Sequence, residues 1–73
     1  MKVEPGHMVI ADVDAQGKVD EYRALVIMKK EGQLRLKIEL KGYLGGNLWK
    51  WVDESCVKEV LKEPKVPADK LFE

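Results

Sequence analysis

Seventy-three residues, with thirteen basic, thirteen acidic, one His and one Cys, make at most one small and electrically balanced domain. Such a chain buries only about 60% of its unfolded surface, and a lone cysteine, Cys56, cannot compensate with an internal disulfide. One Cys and one His also exclude a structural zinc site of four Cys/His ligands; no cofactor is expected, and the unpaired thiol fits a reducing compartment such as the cytoplasm.

The opening "MKVEPGHMVIADVD" meets charge too early for a secretory signal. The longest uninterrupted apolar run, Ala24 to Met28, is far too short to span a membrane. Pro5-Gly6 punctuates the chain, and Met8 to Val13 then reads as a strand rich in Val and Ile. Asp14 to Lys18 carries Asp and Gly at turn spacing. In the next strand Tyr22, Ala24, Val26 and Met28 fall on one face and Arg23, Leu25 and Ile27 on the other. Both faces are largely apolar, as a long central strand serving two packed layers requires. Lys30 to Gln33 reads as a short turn.

"LRLKIELK" alternates strictly: Leu34, Leu36, Ile38 and Leu40 against Arg35, Lys37, Glu39 and Lys41. A period of two puts every aliphatic side chain on one side of a strand and every charge on the other. The glycine-rich Lys41 to Asn47 is a hairpin loop, and "LWKWV" is the next strand, with Trp49 and Trp51 on one face and Leu48, Lys50 and Val52 on the other. Asp53, Glu54 and Ser55 are cap-like and begin a short 3-10 or helical turn, after which Val57 and Val60 or Leu61 are placed to cover the end of the core. Residues 63–73 hold two prolines and no periodicity, and read as an extended or disordered tail. Four or five short strands with Gly-marked turns predict an all-β fold, a small antiparallel barrel in which few strand edges stay open.

The C-terminal stretch "VDESCVKEV" resembles the end of SH3 domains, where a strand passes through a 3-10 turn into a last strand in a pattern close to I-P-S-N-Y-V-K-E-I. Val52, Ser55 (displaced by one), Val57, Lys58, Glu59 and Val60 carry the likeness, and "PGHMVIADV" is similar to the opening of many SH3-like barrels. The resemblance implies an SH3-like barrel over residues 3–62. The pattern's proline position is Asp53 here and its groove tyrosine position is Cys56, so a proline-rich peptide is not the expected ligand. In size and neutral charge the chain also resembles small phage proteins that capture host machinery, among them inhibitors of bacterial RNA polymerase. That likeness implies a transcription regulator acting in the host cytoplasm.

Charge is unevenly spread: residues 1–21 sum to −3, 22–50 to +5 and 51–73 to −2. A balanced total argues against a DNA-coating protein. The basic middle places Arg35, Lys37, Lys41 and Lys50 near Tyr43, Trp49 and Trp51, either as a solvated strand face or as a strip that docks an acidic protein surface or single-stranded nucleic acid. The two tryptophans are either core or, if exposed, binding anchors. The Lys41–Asn47 loop lacks the helix and the Lys-Ser/Thr of a phosphate cradle, although Tyr43 at its tip can touch a partner. His7 and Cys56 lack an orienting third group, so no enzyme is expected. Asp12, Asp14, Asp20 and Glu21 lack calcium-loop spacing and read as an acidic rim. Leu71-Phe72 is an apolar pair in a polar tail, either disordered or a docking segment. The expectation is a non-catalytic module that binds a larger protein, most concretely bacterial RNA polymerase, through Trp49, Trp51, Tyr43, Arg35, Lys37, Lys41, Lys50, Leu71 and Phe72. A nucleic-acid-binding barrel is the alternative, and a subunit of a larger complex is a third class.

Overall fold

A computed structural model describes residues 2–15, 17–40 and 45–71. They form five antiparallel strands in one sheet: β1 (Met8–Ala15), β2 (Lys18–Lys30), β3 (Gln33–Glu39), β4 (Asn47–Asp53) and β5 (Val57–Val60), in the order β4-β3-β2-β1-β5. Two 3-10 turns, Glu54–Cys56 and Ala68–Lys70, complete the described elements. None of them is a helix long and apolar enough to cross a membrane.

A single sheet with no helix laid on it can bury one face only by curling round that face. The chain does this: Val9, Ala11 and Val13 of β1, Ala24 and Val26 of β2, Leu34, Leu36 and Ile38 of β3, Val52 and Val57 share one core, and Val3 joins it from before β1. The body measures 30 × 25 × 22 Å, close to equal on all axes. The Lys50 ammonium of β4 donates to the Asp14 carbonyl near the far end of β1, which draws the sheet's two sides together. The ladder itself does not close. Among the described residues β4 and β5 remain its two edges, joined through the turn at Glu54–Cys56 rather than by pairing.

Local chemistry explains the turns. Pro5 and Gly6 (φ 97°) fill the two centres of a turn closed by His7 N–H donating to the Glu4 carbonyl at 3.2 Å, which suits a type II turn. Glu31 (φ 49°) and Gly32 (φ 78°) link β2 to β3 in a two-residue hairpin with positive φ at both centres, the twist that antiparallel strands favour. After β4, Asp53 caps the turn: its carboxylate accepts the Ser55 N–H at 2.9 Å. The short turn expected after Asp53 is a 3-10 turn of three residues, and Val57 to Val60 beyond it pair with β1 as the fifth strand.

One face assignment is corrected. The ladder between β2 and β3 slips between Val26 and Met28, so that Met28 pairs with Arg35 and points outward while Ile27 is buried. A bulge adds one residue to one strand and inverts the alternation beyond it. Met28 therefore leaves the Ala24–Val26 face to which simple alternation assigned it.

Residues 61–71 lie against the N-terminal segment. Leu61 N–H donates to the Met8 carbonyl at 2.8 Å, Val66 N–H to the Gly6 carbonyl at 2.9 Å, and Lys65 pairs with Glu4 at 2.9 Å. Leu71 is only 6% exposed. Arg23 grips Glu63 through both carboxylate oxygens, at 2.5 and 2.7 Å.

These contacts have a pH signature. The hydrogen bond and charge of Lys65, with Lys2 adding to them, hold the Glu4 carboxyl below its ordinary 4.5. The Ser55 N–H does the same for Asp53, below 3.8. A depressed folded-state pKa contributes stability that is fully present above the unfolded value and is lost as pH falls through the folded one. The urea midpoint is therefore expected to hold from neutrality down to the ordinary carboxylate range and to fall below it. Glu4→Gln and Asp53→Asn start lower at neutral pH and fall less in acid. Parallel curves for the variants and the parent would show that these two groups play no part.

Candidate functional site

The ladder of β3 and β4 sets the orientation of every side chain on this side of the sheet. Leu48, Lys50 and Val52 stand opposite the buried Ile38, Leu36 and Leu34 and share their inward phase. Trp49 and Trp51 take the opposite phase. They pair directly with Lys37 and Arg35 and are 46% and 39% exposed. Of the two readings open for the tryptophans, core or exposed, the structure takes the second for both.

The outer face continues beyond β3. Lys37 pairs with Leu25 of β2, and Leu25 with Met8 of β1, so Trp49, Lys37, Leu25 and Met8 form one row across four strands. Trp51, Arg35 and Met28 form a second row. The Lys37 ammonium lies 5.9 Å from the Trp49 ring centroid, within cation–π range. A groove of about 520 Å³ opens beside these rows, with Met8, Leu25, Lys37 and Leu40 among its walls. The far side of the same face is acidic: Asp12 and Glu21 share the Lys58 ammonium at 3.6 and 3.9 Å.

The expected site residues separate into groups. Trp49, Trp51, Arg35 and Lys37 come together on the outer face. Lys50 does not join them, because its phase points inward and its ammonium is held by the Asp14 carbonyl. Leu71 is buried beside the N-terminal segment, away from solvent. Lys41, Tyr43 and Phe72 lie outside the described residues. His7 serves the Pro5-Gly6 turn, where its Nδ1 accepts the Glu4 N–H at 3.2 Å, while half-buried Cys56 packs on the core. Among the described residues no group of three His, Cys, Asp or Glu is arranged to hold a metal ion.

Met28 is the member of the face that alternation missed. Its only signal was a bulge, which depends on the pairing partner and not on β2 alone.

Chemically, the arrangement offers two broad indole surfaces on a hydrogen-bonded ladder, each with a cation at the paired position of β3, with thioether and aliphatic groups extending the apolar area. It can bury a partner's apolar groups and pair with its acids. No protein-family model matches the chain, and no curated protein or solved structure was found to be significantly similar to it.

Proposed function

We propose that the chain is a non-catalytic protein-binding module that docks a larger protein on the outer face of β3 and β4. One observation carries this reading: Trp49 and Trp51 stand exposed side by side, each paired across the ladder with a cation. Tryptophan and arginine are the residues that most often dominate interface energetics, and methionine is enriched with them. Two indoles left in water forgo large hydrophobic stabilisation that a partner's surface restores. The fold also accords with an SH3-like barrel, since β4 leads through a 3-10 turn into β5 at the residues that carry that resemblance. In its most concrete form the module is a small phage-type regulator that engages bacterial RNA polymerase and inhibits it.

Nucleic-acid binding is the second reading, because indoles beside Arg35 and Lys37 suit base stacking and phosphate contact. The acidic groups at Asp12 and Glu21 on the same face favour a protein partner. Titration of purified bacterial RNA polymerase, and separately of single-stranded DNA, over a salt series tests both readings. Trp49→Ala and Trp51→Ala are each expected to weaken polymerase binding about 30-fold, equivalent to ~2 kcal/mol for an anchor residue. Their thermal midpoints should fall by less than that of a core truncation, since each indole is only partly covered. Polymerase affinity indifferent to both substitutions would end the proposal in this form. Tight single-strand binding that falls steeply with salt would move the function to the second reading.

A further inference from the structure

The phase of β4 has a second aspect, in its backbone. Leu40 N–H donates to the Gly46 carbonyl and Glu54 N–H to the Gly32 carbonyl, both at 2.9 Å. In an antiparallel ladder, bonded and non-bonded pairs alternate. The register then turns the N–H and C=O of Leu48, Lys50 and Val52 toward β3, and those of Asn47, Trp49, Trp51 and Asp53 toward the open edge. Among the described residues nothing pairs with that edge. It is seven residues long, against four for the β5 edge, and apart from Lys50 it carries none of the charges, prolines or bulges that blunt an edge between Leu48 and Val52.

The strand "NLWKWVD" is also nearly a palindrome: Asn47 mirrors Asp53, Leu48 mirrors Val52, and Trp49 mirrors Trp51 about Lys50. A strand that reads alike in both directions is complementary to its own antiparallel copy. We infer that β4 pairs with β4 of a second copy of this chain about a two-fold axis at Lys50, joining two sheets into one of ten strands.

Backbone parity excludes every register that sets an edge-facing residue against one facing β3, and the palindrome selects the axis at Lys50 among those that remain. Residues whose backbones face the edge must meet residues of the same kind. With Lys50 at the axis, Trp49 meets the second copy's Trp51 and Asn47 its Asp53, all edge-facing, and each amide side chain lies opposite a carboxylate. Leu48 meets Val52 on the inner side. Aromatic and aliphatic cross-strand pairs stabilise such ladders. The one unfavourable pair is Lys50 with its own copy, and the Asp14 carbonyl draws that ammonium back into its own chain. A two-fold contact closes on itself, whereas β4 meeting β5 of the next copy would propagate. The dimer sets four indoles in a two-by-two block on one outer face, whatever partner that face takes.

Sedimentation equilibrium of the purified chain, from low micromolar to about 1 mM, tests the inference; a dimer still absent at that upper limit would be weaker than ~4 kcal/mol. A reversible dimer is expected. Trp51→Pro removes an edge-facing N–H without touching the β3 ladder and weakens the dimer at least about 10-fold, because proline is tolerated only where no ladder bond is needed. Lys50→Glu gives a second, independent measure. Mixed with the parent, it forms mixed dimers in excess of half, since only this register sets residue 50 against residue 50. A monomer at every concentration, a statistical mixture with Lys50→Glu, or species that grow without limit would each overturn the inference.

Discussion

Leu36→Ala is expected to lower the thermal midpoint by roughly 15–30 °C, with about 4–8 °C lost per kcal/mol in a domain of this size. Leu36 is fully buried at the centre of β3, paired with Val26 on one side and Lys50 on the other. Truncating a core leucine costs ~2–5 kcal/mol, from lost transfer energy and the cavity left behind. Total stability at typical values per residue is only about 4–11 kcal/mol for 73 residues. One substitution therefore removes a large share of what holds the fold. Arg35→Ala, one residue away on the outer face, is the control and should change stability by no more than about 0.5 kcal/mol. Circular dichroism melts of the two variants make the comparison. Equal losses at both positions would mean that β3 does not separate an inside from an outside.

Gly6→Ala should release residues 64–71 from the N-terminal segment while β2 and β3 stay formed. Gly6 sits at φ 97°, where a side chain is strained by about 1–3 kcal/mol. A Cβ there would lie 2.7 Å from the Val66 carbonyl oxygen and 2.7 Å from Lys65 Cγ. The lysine side chain can move aside, but a backbone oxygen cannot do so without carrying the chain around Val66 with it. Yielding breaks the bond from Val66 N–H to the Gly6 carbonyl and uncovers Leu71, whose burial contributes ~1.5–3 kcal/mol. Gly17→Ala is the matched control, with φ 78° and nothing within 4 Å of the added carbon. Hydrogen exchange read by mass spectrometry should show 64–71 unprotected in Gly6→Ala and protected in Gly17→Ala. Unchanged protection of Val66 in Gly6→Ala would refute the account of this contact.

Much of the fold was legible because its signals are local. The alternation of 34–40 sets the inside and outside of β3 without reference to any other strand, and the glycines at 17 and 32 mark turns through their own φ. The outward phase of Trp49 and Trp51 follows once Leu48 and Val52 are set inside, a step open to sequence reasoning. What escaped depends on pairing or on distant segments. The bulge at Ile27 exists because β3 presents a register that β2 meets only with one extra residue. The placing of residues 61–71 depends on the N-terminal segment, as the Glu4–Lys65 pair illustrates at a separation of 61. Lys50 belonged to the basic strip by composition, and only the curl of the sheet, which brings Asp14 within its reach, takes it away.

The strand order also bears on the rate of folding. β1 through β4 are successive hairpins, each able to form from chain neighbours. β5 must travel back past all of them to reach β1, and closing so long a loop delays contact formation. The β1–β5 ladder, which sets Val60 on Val9 and Val57 on Ala11, is therefore the most non-local pairing in the sheet and the one that most raises the contact order. In a domain of this size that separation slows the folding transition as a whole rather than adding a populated stage to it.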